Sequence, residues 1–354
     1  MKQINIFAET KAYELVDKLG DPLQKLDAAI DWTPFVRVIE EVRPDNTKTG
    51  AGGRPPLSSK KLFKCLLLGE INNLSDEMLE YMITDRLSFM RFVGLSLDEK
   101  SPDRNTFWLL REKLKQTGKY DDLFKAFWEM LEKNGIVASK GVIVDATFVD
   151  APRRRAITRE EIQQLKNGEI PARLGEPESV EELHFSMQVD TDASWAKKGG
   201  ETHFGYKDHI AVDAETKLIL KSEATTASVH DSQKLADVVP ECTEEVWDDA
   251  GYVGEDIDRK LHEKCPEVQH NTCKKGYRNQ PLTDEEKENN REISRTRSRV
   301  EHVFGRQTTC MGGLTIRLIG LARAKCQIKL RDLAYNLLRY ATLVKLEKMP
   351  ALGQ

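Results

Sequence analysis

One acidic residue, Glu301, lies inside a run of arginines between Ile293 and Arg306. A bound divalent cation would account for a single carboxylate in such a place. Phosphate chemistry on a nucleic acid uses this combination, because carboxylates hold the metal and neighbouring cations bind the phosphates. Glu301 is therefore a candidate metal ligand at a site that acts on a polyanion.

The same segment predicts one continuous amphipathic helix, because no proline interrupts it. At about 100° per residue, Ile293, Val300 and Phe304 form an apolar stripe. Glu301 lies at the edge of this stripe, and Arg297 lies one turn earlier on the same face. The arginines towards the opposite side are Arg291, Arg295, Arg299 and Arg306. Such a helix can pack on a core, present cations to a polyanion and hold a carboxylate where the two sides meet.

Two further acids lie at predicted strands. Asp145 is the only charged residue in the apolar run 142–149, which is typical of a strand buried on both faces. An ionised carboxylate there is costly unless it is paired, protonated or bound to a metal. An aspartate bonded to nearby backbone or to a basic side chain is the ordinary alternative. Asp249 ends another short strand before a glycine turn, and ligands gather at strand carboxyl ends in α/β sheets.

Each aspartate has a neighbour that could take the same role, Asp150 for Asp145 and Asp248 for Asp249. Strand alternation would send Asp248 and Asp249 to opposite faces. Together with Glu301, the two strand acids could converge on Mg²⁺, which prefers oxygen ligands. Two such ions about 4 Å apart could activate a water or a 3′-hydroxyl and stabilise the leaving oxygen of an in-line displacement.

The chain has 354 residues, enough for two ordinary domains, and a net charge of −4. This overall charge gives no sign of a nucleic-acid partner, but between Arg291 and Asp332 ten Lys and Arg residues stand against three Asp and Glu. The asymmetry predicts a basic surface for a polyanion on an otherwise acidic protein. The N-terminus lacks the pattern of a signal peptide and the apolar runs are short, so a cytoplasmic location is expected.

The six cysteines lack the spacing of a disulfide framework, as expected for reduced thiols. Four residues follow the pattern H-x2-C-x4-H-x2-C and could bind zinc, namely His262, Cys265, His270 and Cys273. Pro266 interrupts this motif, and His262 falls in a predicted amphipathic helix. A structural role for these side chains is therefore favoured over zinc binding.

The first 140 residues or so predict mostly short helices, with a basic Gly/Pro-rich linker at 48–56. Ser58 and Ser75 can cap two of them, and two more begin near Asn105 and Tyr120. This spacing is compatible with helix-turn-helix units and equally with a helical bundle that packs or dimerises.

From Lys140 onwards the pattern changes to strands. After the strand around Asp145 come a polar insertion at about 151–200, a hairpin of residues 202–212 and 217–225, and then alternating helices and strands. A capping box, Thr158-x-x-Glu161, starts a short helix in the insertion. The order predicts a mixed α/β sheet with helical flanks. The sequence contains no G-x-G-x-x-G and no P-loop, which argues against a nucleotide cofactor.

Five motifs follow one another in this second region. They are the strand 144–152, the block 195–213, the segment 228–232, the Asp249–Gly254 turn and the Arg299–Phe304 helix segment. The N-terminal half adds 73–77, 94–97 and the motif Pro102-Asp103 with Thr106. This ordered set, from about residue 50 to 345, resembles the DDE transposases of bacterial insertion sequences, in the insertion sequence five family.

The resemblance implies a ribonuclease-H-like catalytic fold with Asp145, Asp249 and Glu301 as the metal-binding triad. It implies cleavage that depends on Mg²⁺, with two ions expected and Mn²⁺ able to substitute, at the terminal inverted repeats of a mobile element. The freed 3′-hydroxyl would then join target DNA, with a homodimer on DNA and a nucleoid-associated location. The implied DNA contacts are Lys197, Lys198, Lys207, Arg295, Arg297, Arg299 and Arg306.

The predicted domain organisation follows from these elements and the resemblance. Residues 1–56 form an N-terminal segment with the linker, and 57–139 a helical DNA-binding or dimerisation domain. Residues 140–346 form the ribonuclease-H-like catalytic domain, and 347–354 a C-terminal tail.

One signature is incomplete. Related transposases often carry Tyr-x2-Arg-x3-Glu-x6-Lys around the last acid, and here Arg297 and Glu301 match while Ser294 and Thr308 replace the tyrosine and the lysine. Losing the lysine would remove a phosphate contact or a cation that positions the DNA end. Two alternatives therefore stay open: a degenerate or domesticated copy that binds DNA without strand transfer, and a two-metal structure-specific endonuclease.

Overall fold

The computed structural model describes residues 8–43, 57–152, 158–172, 190–276 and 281–353. The predicted linker at 48–56 and much of the predicted polar insertion lie outside these residues. The chain divides into two compact units. Unit one comprises Met1–Val137 and Leu330–Gln354, and unit two comprises Ala138–Lys329.

The described part of unit one is helical up to residue 137. Its helices are α1 (Ala8–Leu19), α2 (Pro22–Ala29), α3 (Thr33–Val42), α4 (Ser59–Ile71), α5 (Asp76–Asp85), α6 (Leu87–Val93), α7 (Arg104–Thr117) and α8 (Lys119–Lys133). The predicted caps are confirmed, since the Ser58 side chain accepts from Lys61 N and the Ser75 side chain accepts from Met78 N. Helices α1 to α3 lie in the region that the sequence predicts to be mostly helical, although the prediction gave them no bounds.

An aromatic cluster joins three of these helices in the core of unit one. The ring of Trp32 lies 6.1 Å from Phe63 and 5.9 Å from Phe92, and Phe35 stacks on Phe63 at 5.2 Å. Such offset and edge contacts add to the free energy gained by burying the rings. The helical region therefore has a core of its own, as expected for a separate folding unit.

Six strands form one sheet in the described part of unit two. They are β1 (Gly141–Asp150), β2 (Ser194–Lys198), β3 (Glu201–Asp213), β4 (Ile219–Thr226), β5 (Glu245–Asp248) and β6 (Gln269–Thr272). Strand β3 pairs antiparallel with β1, and on its other side with β2 and β4. Strand β5 runs parallel to β1, and β6 runs parallel to β5. The β3–β4 pairing confirms the predicted hairpin.

This arrangement, antiparallel strands on one side of β1 and parallel strands on the other, is a ribonuclease-H-like fold. The predicted fold class is thereby confirmed. A glycine is required at residue 205, where φ is +153° and a Cβ would lie 2.3 Å from Val149 O. Strand β3 can therefore lie close against the end of β1, the strand that carries Asp145.

Helices cover both faces of the sheet. In the described part of unit two, the helical elements are α9 (Arg159–Lys166), a 3-10 turn (Asp231–Lys234) leading into α10 (Leu235–Val238), α11 (Glu255–Lys264), α12 (Asp284–Arg297), α13 (Glu301–Thr309) and the start of α14 (Leu321–Lys345). One buried cluster joins Val144 and Val246 to Leu235 and Leu261. A second joins strand residues such as Tyr206 to Ile328 of α14. Burial on both faces explains the continuous apolar run of β1.

Other sequence predictions in this region can be compared directly. The capping box of Thr158 and Glu161 is present and begins α9. The boundary between the two compact units falls within α14, at Leu330. None of the helices in the described ranges combines the length and the apolar character needed to cross a membrane.

The arginine-rich segment is not the single continuous helix that the sequence predicts. Helix α12 ends at Arg297 and α13 begins at Glu301. Between them Arg299 N donates to Thr296 O at 3.2 Å and Val300 N to Arg297 O at 3.0 Å, which is the tighter 3-10 pattern. The Ser298 hydroxyl donates to Arg295 O at 2.9 Å, a side-chain contact that competes with helical hydrogen bonding.

The break also changes which side chains are buried. Ile293 and Val300 lie in the core as predicted, but Phe304 is half-buried and Val303 is completely buried. The tighter turn therefore rotates the buried face of α13 relative to that of α12. Glu301 becomes the first residue of a new helix.

Candidate active site

The parallel pairing of β1 with β5 brings Asp145 and Asp249 into one region of the sheet. The last paired residues are Ile143 and Trp247, and Asp145 and Asp249 each follow two positions later. The two carboxylates are close enough for the charge of Asp249 to raise the pKa of Asp145. Two acids that are about a hundred residues apart in sequence thus meet beyond the end of β5, the part of the sheet where ligands gather in α/β proteins.

Asp145 is buried, with 8% of the residue exposed. Its Oδ1 accepts from Ala146 N at 2.8 Å, and its Oδ2 accepts from the Arg297 guanidinium at 3.3 Å. Burial raises the pKa of Asp145 to about 6, although the Ala146 hydrogen bond and the charges of Arg297 and Lys198 oppose this. The carboxylate is therefore poorly compensated, and a cation beside it would favour its ionised form.

Asp249 lies in the turn that follows β5 and is partly exposed. Its Oδ1 accepts from Gly251 N at 2.7 Å. A Cβ at residue 251 would lie 2.8 Å from that oxygen, so glycine at this position leaves the carboxylate in place. The glycine turn noted in the sequence thus holds the acid by a backbone hydrogen bond.

The two neighbouring aspartates have histidine partners. Asp248 is completely buried, and its Oδ2 lies 2.6 Å from His270 Nε2. Asp150 Oδ1 lies 3.3 Å from His203 Nδ1. Burial raises the pKa of Asp248, which the hydrogen bond with His270 opposes. Asp248 and Asp249 therefore have different surroundings, as strand alternation predicts.

Glu301 reaches the same region through Arg297. The Arg297 guanidinium lies 3.9 Å from Glu301 Oε1 and also contacts Asp145. The side chain of Glu301 is 62% exposed. Across the described residues, no three acidic, histidine or cysteine side chains are grouped closely enough to hold a metal ion. Asp145 lies beside Asp249 and shares Arg297 with Glu301, but the three acids do not form a closed cluster.

The donor atoms nevertheless fit a hard divalent cation. Asp145 and Asp249 offer carboxylate oxygens, the ligand type that Mg²⁺ prefers. Asp145 is desolvated and carries a raised pKa, so a cation would stabilise it. Glu301 is the first residue of α13 and has an exposed side chain. It lies next to Arg297, which contacts Asp145. The fit therefore rests on the two aspartates, with Glu301 available as a third ligand.

The buried charge of Asp145 leads to a stability prediction. Its pKa is about 6 in the folded protein, above the ordinary value of 3.8, so ionisation lowers stability as pH rises from about 4 to 6, and the loss is complete above pH 6. We expect Asp145→Asn in EDTA to match the wild type near pH 4 and to be more stable by up to about 3 kcal/mol at pH 8. Denaturant unfolding across this pH range measures the difference.

Asp256→Asn is the matched control, because the Asp256 side chain lies on α11 and is 78% exposed. The change in stability that Asp256→Asn causes, measured over the same pH range, is the reference for an exposed aspartate. If Asp145→Asn is less stable than the wild type at pH 8, the contact with Arg297 outweighs the burial of the charge.

The cations implied by the resemblance are in different environments. Lys197 and Lys198 are exposed at the end of β2, and Arg295 is exposed on α12. Arg299 is exposed and donates to Ala214 O at 2.8 Å, whereas Arg306 is half-buried. Lys197, Lys198, Arg295 and Arg299 are therefore accessible to a large polyanion.

Lys207 differs from these exposed cations. It is 9% exposed, and its ammonium donates to Asp231 Oδ1 and to Val229 O, both at 2.7 Å. The same ammonium lies 5.1 Å from the ring centroid of Phe148. The position expected to contact DNA is thus engaged in an internal ion pair, because strand alternation turns the side chain towards the 3-10 turn that carries Asp231.

The four residues of the zinc-like motif make separate contacts. His262 Nδ1 lies 2.9 Å from Asp258 O, Cys265 Sγ lies 3.4 Å from Pro240 O, and Cys273 Sγ lies 3.7 Å from Ser294 Oγ. His270 lies between two carboxylates. The H-x2-C-x4-H-x2-C spacing singled out these four residues but did not indicate which atoms each of them contacts.

One residue near the acids was not singled out from the sequence. Tyr252 is buried, and its hydroxyl has no hydrogen-bond partner in the described ranges. Burial raises its pKa, and the charges of Asp145, Asp231 and Asp249 add to the rise. In the sequence, the position of Tyr252 three residues after Asp249 is the feature that could have indicated this location.

Comparison with protein families supports the class of protein that this fold and these acids indicate. Residues 138–337 match the family model described as "Transposase DDE domain", and residues 10–113 match "Transposase domain (DUF772)". The first match covers more than half of the chain. The chain therefore belongs to the DDE transposase domain family.

A solved structure with some likeness is titled "Cryo-EM structure of piggyBac transposase synaptic complex with hairpin DNA". The two share 12% sequence identity with a TM-score of 0.42, over 94% of this chain and 77% of the other. The likeness is too distant to add to the family assignment.

Proposed function

We propose that this DDE transposase belongs to the insertion sequence five family and is active. It binds the terminal inverted repeats of its element, cleaves the DNA by metal-dependent hydrolysis and joins the freed 3′-hydroxyl to target DNA. The observation that supports this most is that Asp145 and Asp249 follow the paired residues of two parallel strands and lie close enough for their charges to interact, while Arg297 contacts both Asp145 and Glu301.

In this proposal Asp145, Asp249 and Glu301 are the metal ligands. Mg²⁺, with two ions expected and Mn²⁺ able to substitute, would supply activation of a water or 3′-hydroxyl and stabilisation of the leaving oxygen. Asp145 offers a desolvated carboxylate, and Asp249 offers one held by the Gly251 N–H. Arg297 balances the charge of Asp145 and Glu301, which keeps acids on β1 and α13 close together.

DNA contacts are assigned to Lys197, Lys198, Arg295 and Arg299, which are exposed. Arg297 contacts Asp145 and Glu301, and Arg306 lies on the helix that begins at Glu301. We omit Lys207 because it pairs with Asp231. Cations around a carboxylate site suit a phosphate backbone, whose contacts supply affinity and position more than sequence recognition. We also propose a homodimer on DNA that pairs two ends of the element. With DNA as its substrate, the protein would be cytoplasmic and associated with the nucleoid.

A strand-transfer assay tests this function. The full chain is incubated with Mg²⁺, a target plasmid and duplexes that carry the DNA flanking the gene, and duplexes with scrambled ends serve as controls. We expect cleavage and joining of the duplexes with flanking sequences and neither reaction with the scrambled duplexes. Cleavage of both duplexes would favour a structure-specific endonuclease, and binding without cleavage would favour a degenerate copy.

The missing lysine can be tested at Thr308. Thr308 is exposed and follows Glu301 by seven residues, which brings it back to within about 20° on the helix. If a lysine there contacts phosphate, Thr308→Lys should tighten end binding about tenfold at 0.1 M salt and steepen the salt dependence by about 0.9. Filter binding over a salt series, with strand transfer in parallel, measures both.

Thr309→Lys is the matched control, because Thr309 is also exposed but is turned by about 100°. Equal gains from both lysines would reflect added charge rather than a restored contact. No gain from Thr308→Lys would show that the absent lysine does not limit activity.

A further inference from the structure

We propose that His270 is a positioning residue for Asp249: it holds the end of β5 through Asp248 and ties that end to α11 through Asp258. The inference rests on the proposed role of Asp249 as a metal ligand. It also gives a function to one residue of the zinc-like motif.

The geometry around the His270 ring carries the argument. His270 Nε2 lies 2.6 Å from Asp248 Oδ2, and Nδ1 lies 2.6 Å from Asp258 Oδ1. The His270 side chain is 8% exposed and that of Asp248 is 0% exposed. Both ring nitrogens thus face carboxylate oxygens, and a ring protonated at both positions donates two charge-assisted hydrogen bonds. One side chain on β6 thereby connects β5 with α11.

The position of Asp248 transmits this contact to the acid site. Asp248 is the last residue of β5, is paired with Thr272 of β6, and immediately precedes Asp249. Its Oδ1 has no hydrogen-bond partner in the described ranges. The hydrogen bonds of Oδ2 therefore provide much of the stabilisation of the buried Asp248 charge. A buried carboxylate that loses such a partner is costly, and the strand end would shift to reduce that cost.

The pairing of β5 with β1 stops at Trp247, so the last residue of β5, Asp248, is held from the β6 side. Strand β5 is four residues long and is followed directly by the Asp249 turn. A displacement of Asp248 would move the backbone of Asp249 and so its distance from Asp145. Residues that orient metal ligands in this indirect way commonly change metal affinity by about 10–100-fold when they are replaced.

The test measures Mn²⁺ binding to the full-length protein without DNA, by the electron paramagnetic resonance signal of free Mn²⁺ during titration. We expect His270→Ala to weaken binding at least about tenfold. His270→Gln retains a donor for Asp248 and should recover part of this loss, which a general loss of packing would not explain. His262→Ala is the matched control, because His262 is exposed on α11, and it should bind Mn²⁺ like the wild type.

Wild-type affinity in folded His270→Ala would overturn the inference. If His270→Ala fails to fold, His270→Gln and Asp258→Asn decide by the same measurement, since Asp258 is 49% exposed and contacts Nδ1; unchanged affinity in both would overturn it. Asp249→Asn separates the two proposals. If it leaves Mn²⁺ binding unchanged, the ligand assignment fails, and if it weakens binding while the His270 variants do not, the positioning role alone fails.

Discussion

Asp145→Asn, Asp249→Asn or Glu301→Gln should each lower Mg²⁺-dependent DNA cleavage by at least about 10³-fold while repeat binding stays within about twofold. The first figure corresponds to about 4 kcal/mol, the scale of transition-state stabilisation that a bound metal supplies. Binding persists because the phosphate backbone is held by cations rather than by these acids. End cleavage of labelled duplexes and a mobility-shift assay on the same preparations measure the two effects.

The amide variants keep the size of each side chain, which limits changes in packing. Asp256→Asn is the control, since Asp256 is an exposed acid of the same unit. Cleavage at wild-type rate in any one variant would remove that residue from the ligand set. Glu301 is the most demanding case, because it is exposed and contacts the other acids through Arg297.

Replacing Arg295 and Arg299 together by glutamine should weaken DNA binding and flatten its dependence on salt. Each phosphate contact that is lost reduces the slope of log affinity against log salt by about 0.9, so a change of about 1.8 is expected. The expected loss of affinity is about 60-fold at 0.1 M salt, and it declines as salt increases. Fluorescence anisotropy with a labelled repeat duplex over a salt series measures both quantities.

The control removes two positive charges elsewhere on unit two, by Lys140→Gln and Arg259→Gln. Both side chains are well exposed, at 67% and 63%, and Lys140 lies at the start of β1, before the strand residues that lead to Asp145. This pair should leave the slope nearly unchanged. A flattened slope in the control and not in the Arg295 and Arg299 variant would place the DNA surface elsewhere on the protein.

Local signals in the sequence predicted many of the elements correctly. The Ser58 and Ser75 caps, the capping box at Thr158 and the β3–β4 hairpin depend on residues within a few positions of one another. Helices α2 and α3 also carry local signals, since Asp21 caps α2 and each has a proline in its first turn. The sequence predicts this region to be mostly helical, and these signals set where α2 and α3 begin.

Prediction was less accurate where side-chain partners compete with a regular pattern. The arginine-rich segment has the period of one helix, yet Ser298 bonds to a backbone carbonyl and a tight turn separates α12 from α13. Lys207 has the composition of a surface cation, but Asp231 and the Val229 carbonyl hold it inside. Neither partner is evident from the spacing of residues in the chain.

The sequence by itself determined which residues are available for chemistry and what class of fold carries them. Asp145 stands out as a charge in an apolar strand, Asp249 as an acid before a glycine turn, and Glu301 as an acid among arginines. Each of these signals is local, because it depends on the preference of a short segment for burial, turn or helix.

The tertiary structure decided which acids meet and which of two adjacent aspartates has its carboxylate held away from solvent. The parallel pairing of β1 with β5 brings Asp145 and Asp249 near each other, and His270 of β6 contacts Asp248. Both outcomes come from parallel pairing between segments far apart in the chain, and such pairing forms through contacts that no local pattern records. Burial then selects the partner of each charged group, because an uncompensated charge inside the protein is too costly to persist.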